Sequence, residues 1–177
     1  MKKFILLLCA LLMLVVVSNK YKEDYYVIPN ESIRIRIIPN SNNIKDQILK
    51  KQVKSNMELV LANDLKDSKT IEESRSIIKD NLSNYQKEVK SVIKENGSDT
   101  NFNIDYGKHY FPEKKYKGVK YKAGLYESLL ITLGKGEGDN WWCVLFPPIC
   151  LLETEDNNTS NAQYTSYVKE IFTKYLK

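Results

Sequence analysis

An α+β domain is predicted for this chain on three observations. Ile33, Ile35 and Ile37 alternate with Arg34 and Arg36, which is the period of a strand with one apolar face. Two stretches after it adopt the 3-4 spacing of amphipathic helices. Phe102, Ile104 and Tyr106 then return to strict alternation with Asn103 and Asp105. This order implies a small, mostly antiparallel sheet covered by two or three helices.

The N-terminus sets the compartment. Lys2 and Lys3 precede an uncharged apolar run over residues 4–17 that lacks Gly and Pro. That composition suits a signal peptide, and the run is shorter than the roughly 20 residues that cross a bilayer comfortably. Residues 1–18 are therefore expected to be an export signal, either cleaved or kept as a short membrane anchor. Val16, Val17 and Ser18 lack the Ala-x-Ala pattern that would decide for cleavage. Cys9 lies inside the run and reads as an apolar filler. Residues 19–31, polar and rich in tyrosine, read as a tether, and residues 32–177 as a single domain. The formal charge of +5 becomes +3 without Lys2 and Lys3, and the remaining charges are interleaved, so nucleic acid is not an expected partner.

The first strand starts after Ser32 and ends at Pro39 and Asn40. The first helix, from about residue 43 to 63, carries Ile48, Leu49, Val53, Met57, Val60 and Leu61 on one stripe, with N-cap candidates from Ser41 to Asn43. Thr70 and Glu73 have capping-box spacing and open a second helix, whose apolar face includes Ile71, Ile78, Leu82, Tyr85, Val89, Val92 and Ile93 and which Asn96 and Gly97 end. The strand at Phe102 follows. A basic, aromatic connection through His109, Phe111, Pro112, Tyr116 and Gly118 leads to a third strand over residues 125–133. Tyr164, Tyr167, Val168, Ile171, Phe172 and Tyr175 make a closing helix able to pack on the domain or on a partner.

Chemistry is sought first in residues 134–150. Gly134, Gly136 and Gly138 permit sharp backbone geometry, but the order of a phosphate loop is absent. Trp141, Trp142 and Phe146 fit two readings, core residues clamped beside Pro147 and Pro148, or anchors of a recognition loop. Setting Cys9 aside, Cys143 and Cys150 are an even pair in an exported chain, which predicts a disulfide closing a small loop that stabilises by about 2–3 kcal/mol. The competing reading is a thiol nucleophile at Cys143 with His109, the only histidine, as its base. A zinc site lacks ligands, and no cofactor is implied. Arg34 and Arg36 are candidates either to clamp a partner's carboxylate or to pair with a neighbour such as Asp46.

Certain strings together resemble the stage II sporulation protein R family. They are RIRIIPNS at residues 34–41, Asp46 with Gln47, Leu49 with Lys50, Phe111 with Pro112, Ala123 and Gly124 ahead of Tyr126, the three alternating glycines, and NWWCVLFPPIC at residues 140–150. The likeness spans roughly residues 32–151. Pro39 stands where alanine is expected, a polar stretch separates Ser41 from Asp46, and Lys122 stands where proline is usual. The resemblance implies a protein made in the forespore and exported into the intermembrane space. There it would act as a signal on a membrane-embedded aspartyl protease of the mother cell, which processes a sporulation sigma-factor precursor. No catalytic residue is implied. The partner-contact candidates are Arg34, Arg36, Asn140, Trp141, Trp142 and Phe146. The alternative is an exported cysteine-dependent or cell-wall hydrolase.

Overall fold

The computed structural model describes residues 26–28, 30–152 and 160–175, with single positions at Phe4 and Met13. Apart from those two positions, the expected export segment at 1–18 lies outside the described residues, as does the polar link at 153–159. Among the described residues no helix is long and apolar enough to cross a membrane.

The elements are β1 (Tyr26–Val27), β2 (Ile33–Ile38), α1 (Ile44–Leu65), α2 (Ile71–Asp80), α3 (Leu82–Glu95), β3 (Phe102–Phe111), β4 (Lys114–Tyr116), β5 (Val119–Tyr121), β6 (Gly124–Leu133), β7 (Trp141–Phe146), α4 (Ile149–Leu152) and α5 (Asn161–Tyr175). They form the expected α+β domain, with a four-stranded sheet ordered β3-β6-β2-β7 and a three-stranded one ordered β1-β5-β4. In the larger sheet β3 pairs antiparallel with β6 along its whole length, and β7 pairs antiparallel with β2. β2 and β6 are parallel, from Ile33 opposite Glu127 to Ile38 opposite Thr132. A parallel pair needs a long crossover, which the three helices and β3 between them supply.

Asn43 caps α1, accepting from the Asp46 amide at 2.8 Å. The Thr70 and Glu73 capping box opens α2 as expected. The single helix expected over residues 70–96 is instead two. At Asn81 the backbone turns to φ −97°, ψ 3°, and the Asn81 side chain donates to the Ile77 carbonyl at 3.0 Å, closing α2 before α3 begins. Gly97, at φ +62°, ends α3 in the left-handed conformation that favours glycine.

Two cores flank the larger sheet. On one face Ile33, Ile35, Ile37, Leu129 and Ile131 meet Val53, Met57 and Leu61 of α1, Ile78 of α2 and Val89 of α3. Ile48, expected on this stripe, is 48% exposed. On the other face Phe111, Tyr126, Trp142 and Val144 meet Val119 and Tyr121 of the small sheet and Tyr164, Val168 and Phe172 of α5. The C-terminal helix thus packs on its own domain. Tyr26 and Val27 pair with β5, and Ile28 is 1% exposed. The last residues assigned to the tether are therefore part of the fold, held by burial of Ile28 on the aromatic side.

Candidate functional site

Alternation along β2 sends Arg34 and Arg36 to the face opposite Ile33, Ile35 and Ile37, as the sequence predicts; that face is the aromatic one, and the two enter different environments. Arg34 sits mid-sheet between Ser128 and Val144 and is completely buried. Its guanidinium carbon lies 3.3 Å from the Tyr126 ring centroid, 5.1 Å from those of Phe111 and Trp142 and 5.9 Å from that of Tyr121. None of its three nitrogens has a hydrogen-bond acceptor among the described residues. Burial lowers its pKa to about 10 against the opposing pull of Tyr126 and Tyr121, so it stays cationic at neutral pH. Facing rings attract a desolvated cation by about 2 kcal/mol, which offsets only part of a desolvation cost of several kcal/mol. Arg34 is neither a surface clamp nor a partner of Asp46. It is the centre of an aromatic box.

The aromatic string divides in the same way. Trp142 is 8% exposed and Phe146 2%. Trp142 packs edge-on against Phe111 and Tyr121 at 5.5 and 5.0 Å, and Phe146 meets Tyr175 at 5.5 Å. Both are core anchors, so direct contact with a partner is closed to them in this fold. Trp141 is half-buried, with the Lys54 ammonium 5.2 Å from its ring centroid. Of the two readings of this segment, the core one holds for Trp142 and Phe146: residues 141–146 form an edge strand, and a run that is apolar on both faces belongs between two cores.

Cys143 and Cys150 are bridged, with Cα atoms 6.0 Å apart. Cys143 therefore has no free thiol to act as a nucleophile. His109 is on β3, three strand spacings from β7 or roughly 14 Å. The cysteine and histidine of the hydrolase reading are not brought together. His109 instead bridges Asp105 at 2.8 Å and Ser128 at 2.7 Å, an arrangement that sequence reasoning missed. Alternation on β3 and the pairing with β6 hold these groups together, but Ser128 is fully buried and closed to a substrate. Among the described residues no cluster of His, Cys, Asp and Glu could hold a metal.

The glycine segment and the end of β2 form a polar knot. One oxygen of Asp46 accepts from Ser41 Oγ at 2.7 Å, Asn43 Nδ2 at 2.8 Å and Asn40 Nδ2 at 2.9 Å. Hydrogen bonds from Ser41 and Asn40 hold its pKa below the usual 3.8. The glycine loop lies on this cluster. The Lys135 amide donates to Asn40 Oδ1 at 3.0 Å, the Gly138 amide to the Pro39 carbonyl at 3.1 Å and Lys50 to the Asp139 carbonyl at 2.7 Å. A Cβ at Gly138 would lie 2.7 Å from Pro39 Cγ, which explains the glycine there. With its carboxamide oxygen turned to the guanidinium, Asn140 accepts from Arg36 Nη2 at 2.6 Å and Nε at 2.8 Å, while Arg36 Nη1 donates to the Tyr110 carbonyl at 3.2 Å. Burial lowers the Arg36 pKa. Arg36, Asn140, Lys50 and Asp139 remain at the surface, Asp139 exposed and the other three half-buried. Of the predicted contact residues, only Arg36, Asn140 and Trp141 are reachable. The roles of Asp46 and Lys50 were missed, although their spacing from RIRIIPNS was visible.

Residues 29–156 match a family model described as Stage II sporulation protein R. The Bacillus subtilis (strain 168) protein named Stage II sporulation protein R is 36% identical over 169 residues, covering 90% of this chain and 75% of that protein. No solved structure matches.

Proposed function

This chain belongs to the stage II sporulation protein R family, so its role lies in sporulation, and we propose that it acts there as an exported signal. It leaves the forespore for the intermembrane space, cleaved from its leader or held by it. There it binds a membrane-embedded aspartyl protease of the mother cell and shifts it toward the state that processes a sigma-factor precursor. Such a ligand needs only greater affinity for the active state than for the inactive one. Catalysis belongs to the partner.

The observation that carries this reading is where the family strings converge. Arg36, Lys50 and Asn140, from three of those strings, form one polar rim with Asp139, and the hydrogen bonds of the knot below brace it. A hydrogen-bonded rim centred on an arginine suits protein recognition, since side chains already held in place cost less to order and arginine is enriched among contact residues. The thiol-hydrolase alternative loses support, because the disulfide occupies Cys143.

The test is capture of the chain by the extracytoplasmic part of the protease. Arg36→Ala combined with Asn140→Ala is expected to weaken capture at least about tenfold, with the thermal transition retained. A reporter for the mother-cell sigma factor should stay silent in a strain lacking the chain. Full capture by the folded double variant would remove the rim from the interface. Normal reporter activity in the deletion strain would overturn the signalling role.

A further inference from the structure

The two edges of the larger sheet are treated differently. At the β7 edge the chain turns back after Phe146 into α4, and the Cys143–Cys150 bridge ties that return to the strand. At the other edge β3 pairs only with β6, and no strand lies beyond it among the described residues. Outward-pointing backbone groups of an edge strand form a template for another strand. β3 has ten residues and no proline to block that pairing.

A groove of about 790 Å³ runs between the start of this edge, at Phe102, Asn103 and Ile104, and one side of α3. Lys87, Lys90 and Lys94 line it, all exposed and none in an ion pair among the described residues. Asp99 is the one acid of the lining. Positions 87, 90 and 94 follow one side of the helix over roughly 10 Å. Side chains on one face of a strand repeat about every 6.7 Å, so two acids at alternate positions of an added strand would meet this row.

We infer that the open edge of β3 is a docking site for an extended acidic segment of another protein, which joins the sheet as a fifth strand and sets its carboxylates against Lys87, Lys90 and Lys94. Backbone pairing supplies the affinity and the lysine row the selectivity. A second copy of this chain is a poor occupant, because edge-to-edge pairing would bring two lysine rows together. The lysine groove lies at the Phe102 end of β3, at the opposite end of the strand from Tyr110, whose carbonyl Arg36 contacts, and the proposal stands independently of the protease reading.

The probe is a labelled peptide of about eight residues that alternates glutamate with valine and threonine. It is titrated into the full-length chain, with binding read by fluorescence anisotropy and by amide hydrogen exchange. The acidic peptide is expected to bind, a lysine counterpart is not, and protection should rise along β3 and not β7. The Lys87→Glu, Lys90→Glu, Lys94→Glu variant changes only exposed side chains and should keep its thermal transition while losing at least about tenfold in affinity. No binding to the unaltered chain, equal binding by the folded triple variant, or protection at β7 or at Asn140 would each overturn the proposal. A dimer through β3 in sedimentation, abolished by the triple variant, would replace the acidic segment with a second copy and overturn it too.

Discussion

The two faces of the four-stranded sheet bury comparable side chains by different means. The helical face is almost wholly aliphatic, and its members recur at fixed spacing along α1 and α3, with Leu49, Val53, Met57, Leu61 and Leu65 four residues apart. Tyr85, the one buried tyrosine of this core among the described residues, reaches Asp64 at 3.0 Å, so its hydroxyl is satisfied. The aromatic face holds a buried cation without an acceptor among the described residues, boxed by rings from β3, β5, β6 and β7. Either face removes apolar area from water, at roughly 25 cal/mol per Å². Only the second depends on residues from four strands arriving around one charge. The helical face can form from local periodicity, whereas the aromatic face requires the sheet to be in register first.

The sharpest way to break this comparison is to empty the box. Trp142→Ala removes a ring that touches Phe111, Tyr121 and the Arg34 guanidinium, and it should lower stability by about 3–5 kcal/mol. Urea unfolding followed by circular dichroism measures it. A loss below about 1 kcal/mol would show that the aromatic layer is plastic and that Trp142 is free to serve a partner.

A smaller change separates packing from charge. Arg34→Met keeps much of the volume and removes the unpaired cation, so stability should hold or rise by up to about 2 kcal/mol, as when buried ions are replaced by apolar side chains. A loss of several kcal/mol would mean that the ring contacts outweigh desolvation. If the variant folds at full stability yet fails to activate the sigma-factor reporter, the cation serves function.

The difference between the faces also separates what was legible in the sequence from what was not. The capping box at Thr70 and Glu73, the apolar stripe of α1 and the left-handed stop at Gly97 are local and could be read directly. The break at Asn81 could not, since no Pro or Gly marks it. β7 passed for a loop because it is buried on both sides and shows no alternation. The β4–β5 hairpin passed for a connection, although Lys117 at φ 43° and Gly118 at φ 77° form the two-residue turn that such a hairpin needs. The cysteine pair was legible from number and compartment. The box around Arg34 was not, because its rings are scattered between residues 111 and 142 on four strands of two sheets, and only the assembled fold gathers them. At the site, Arg36 and Asn140 were visible as candidates, but their mutual hydrogen bonds are a long-range fact; the bonds to Asp46 span only three to six residues, but nothing in the sequence selects that acid from its neighbours.

The knot at the end of β2 belongs to neither face, and it allows the smallest and most specific test. Hydrogen bonds from Ser41 and Asn40, joined by Asn43, hold the Asp46 pKa below 3.8 in the folded chain. A depressed carboxyl pKa adds stability that is fully present above the unfolded value and is lost as pH falls through the folded one. The unaltered chain should therefore lose part of its stability below about pH 4 through this group. Asp46→Asn keeps an acceptor for the three donors but removes the charge near the start of α1. At neutral pH it should cost about 0.5 kcal/mol, a small value because Asp46 is partly exposed and solvent screens it. The difference in urea midpoint between the two proteins should be constant from pH 5 to 7 and shrink progressively as pH falls below about 4. The other carboxylates are common to both proteins and cancel in the difference, so a difference that persists unchanged down to pH 3 would place the acid sensitivity outside the knot.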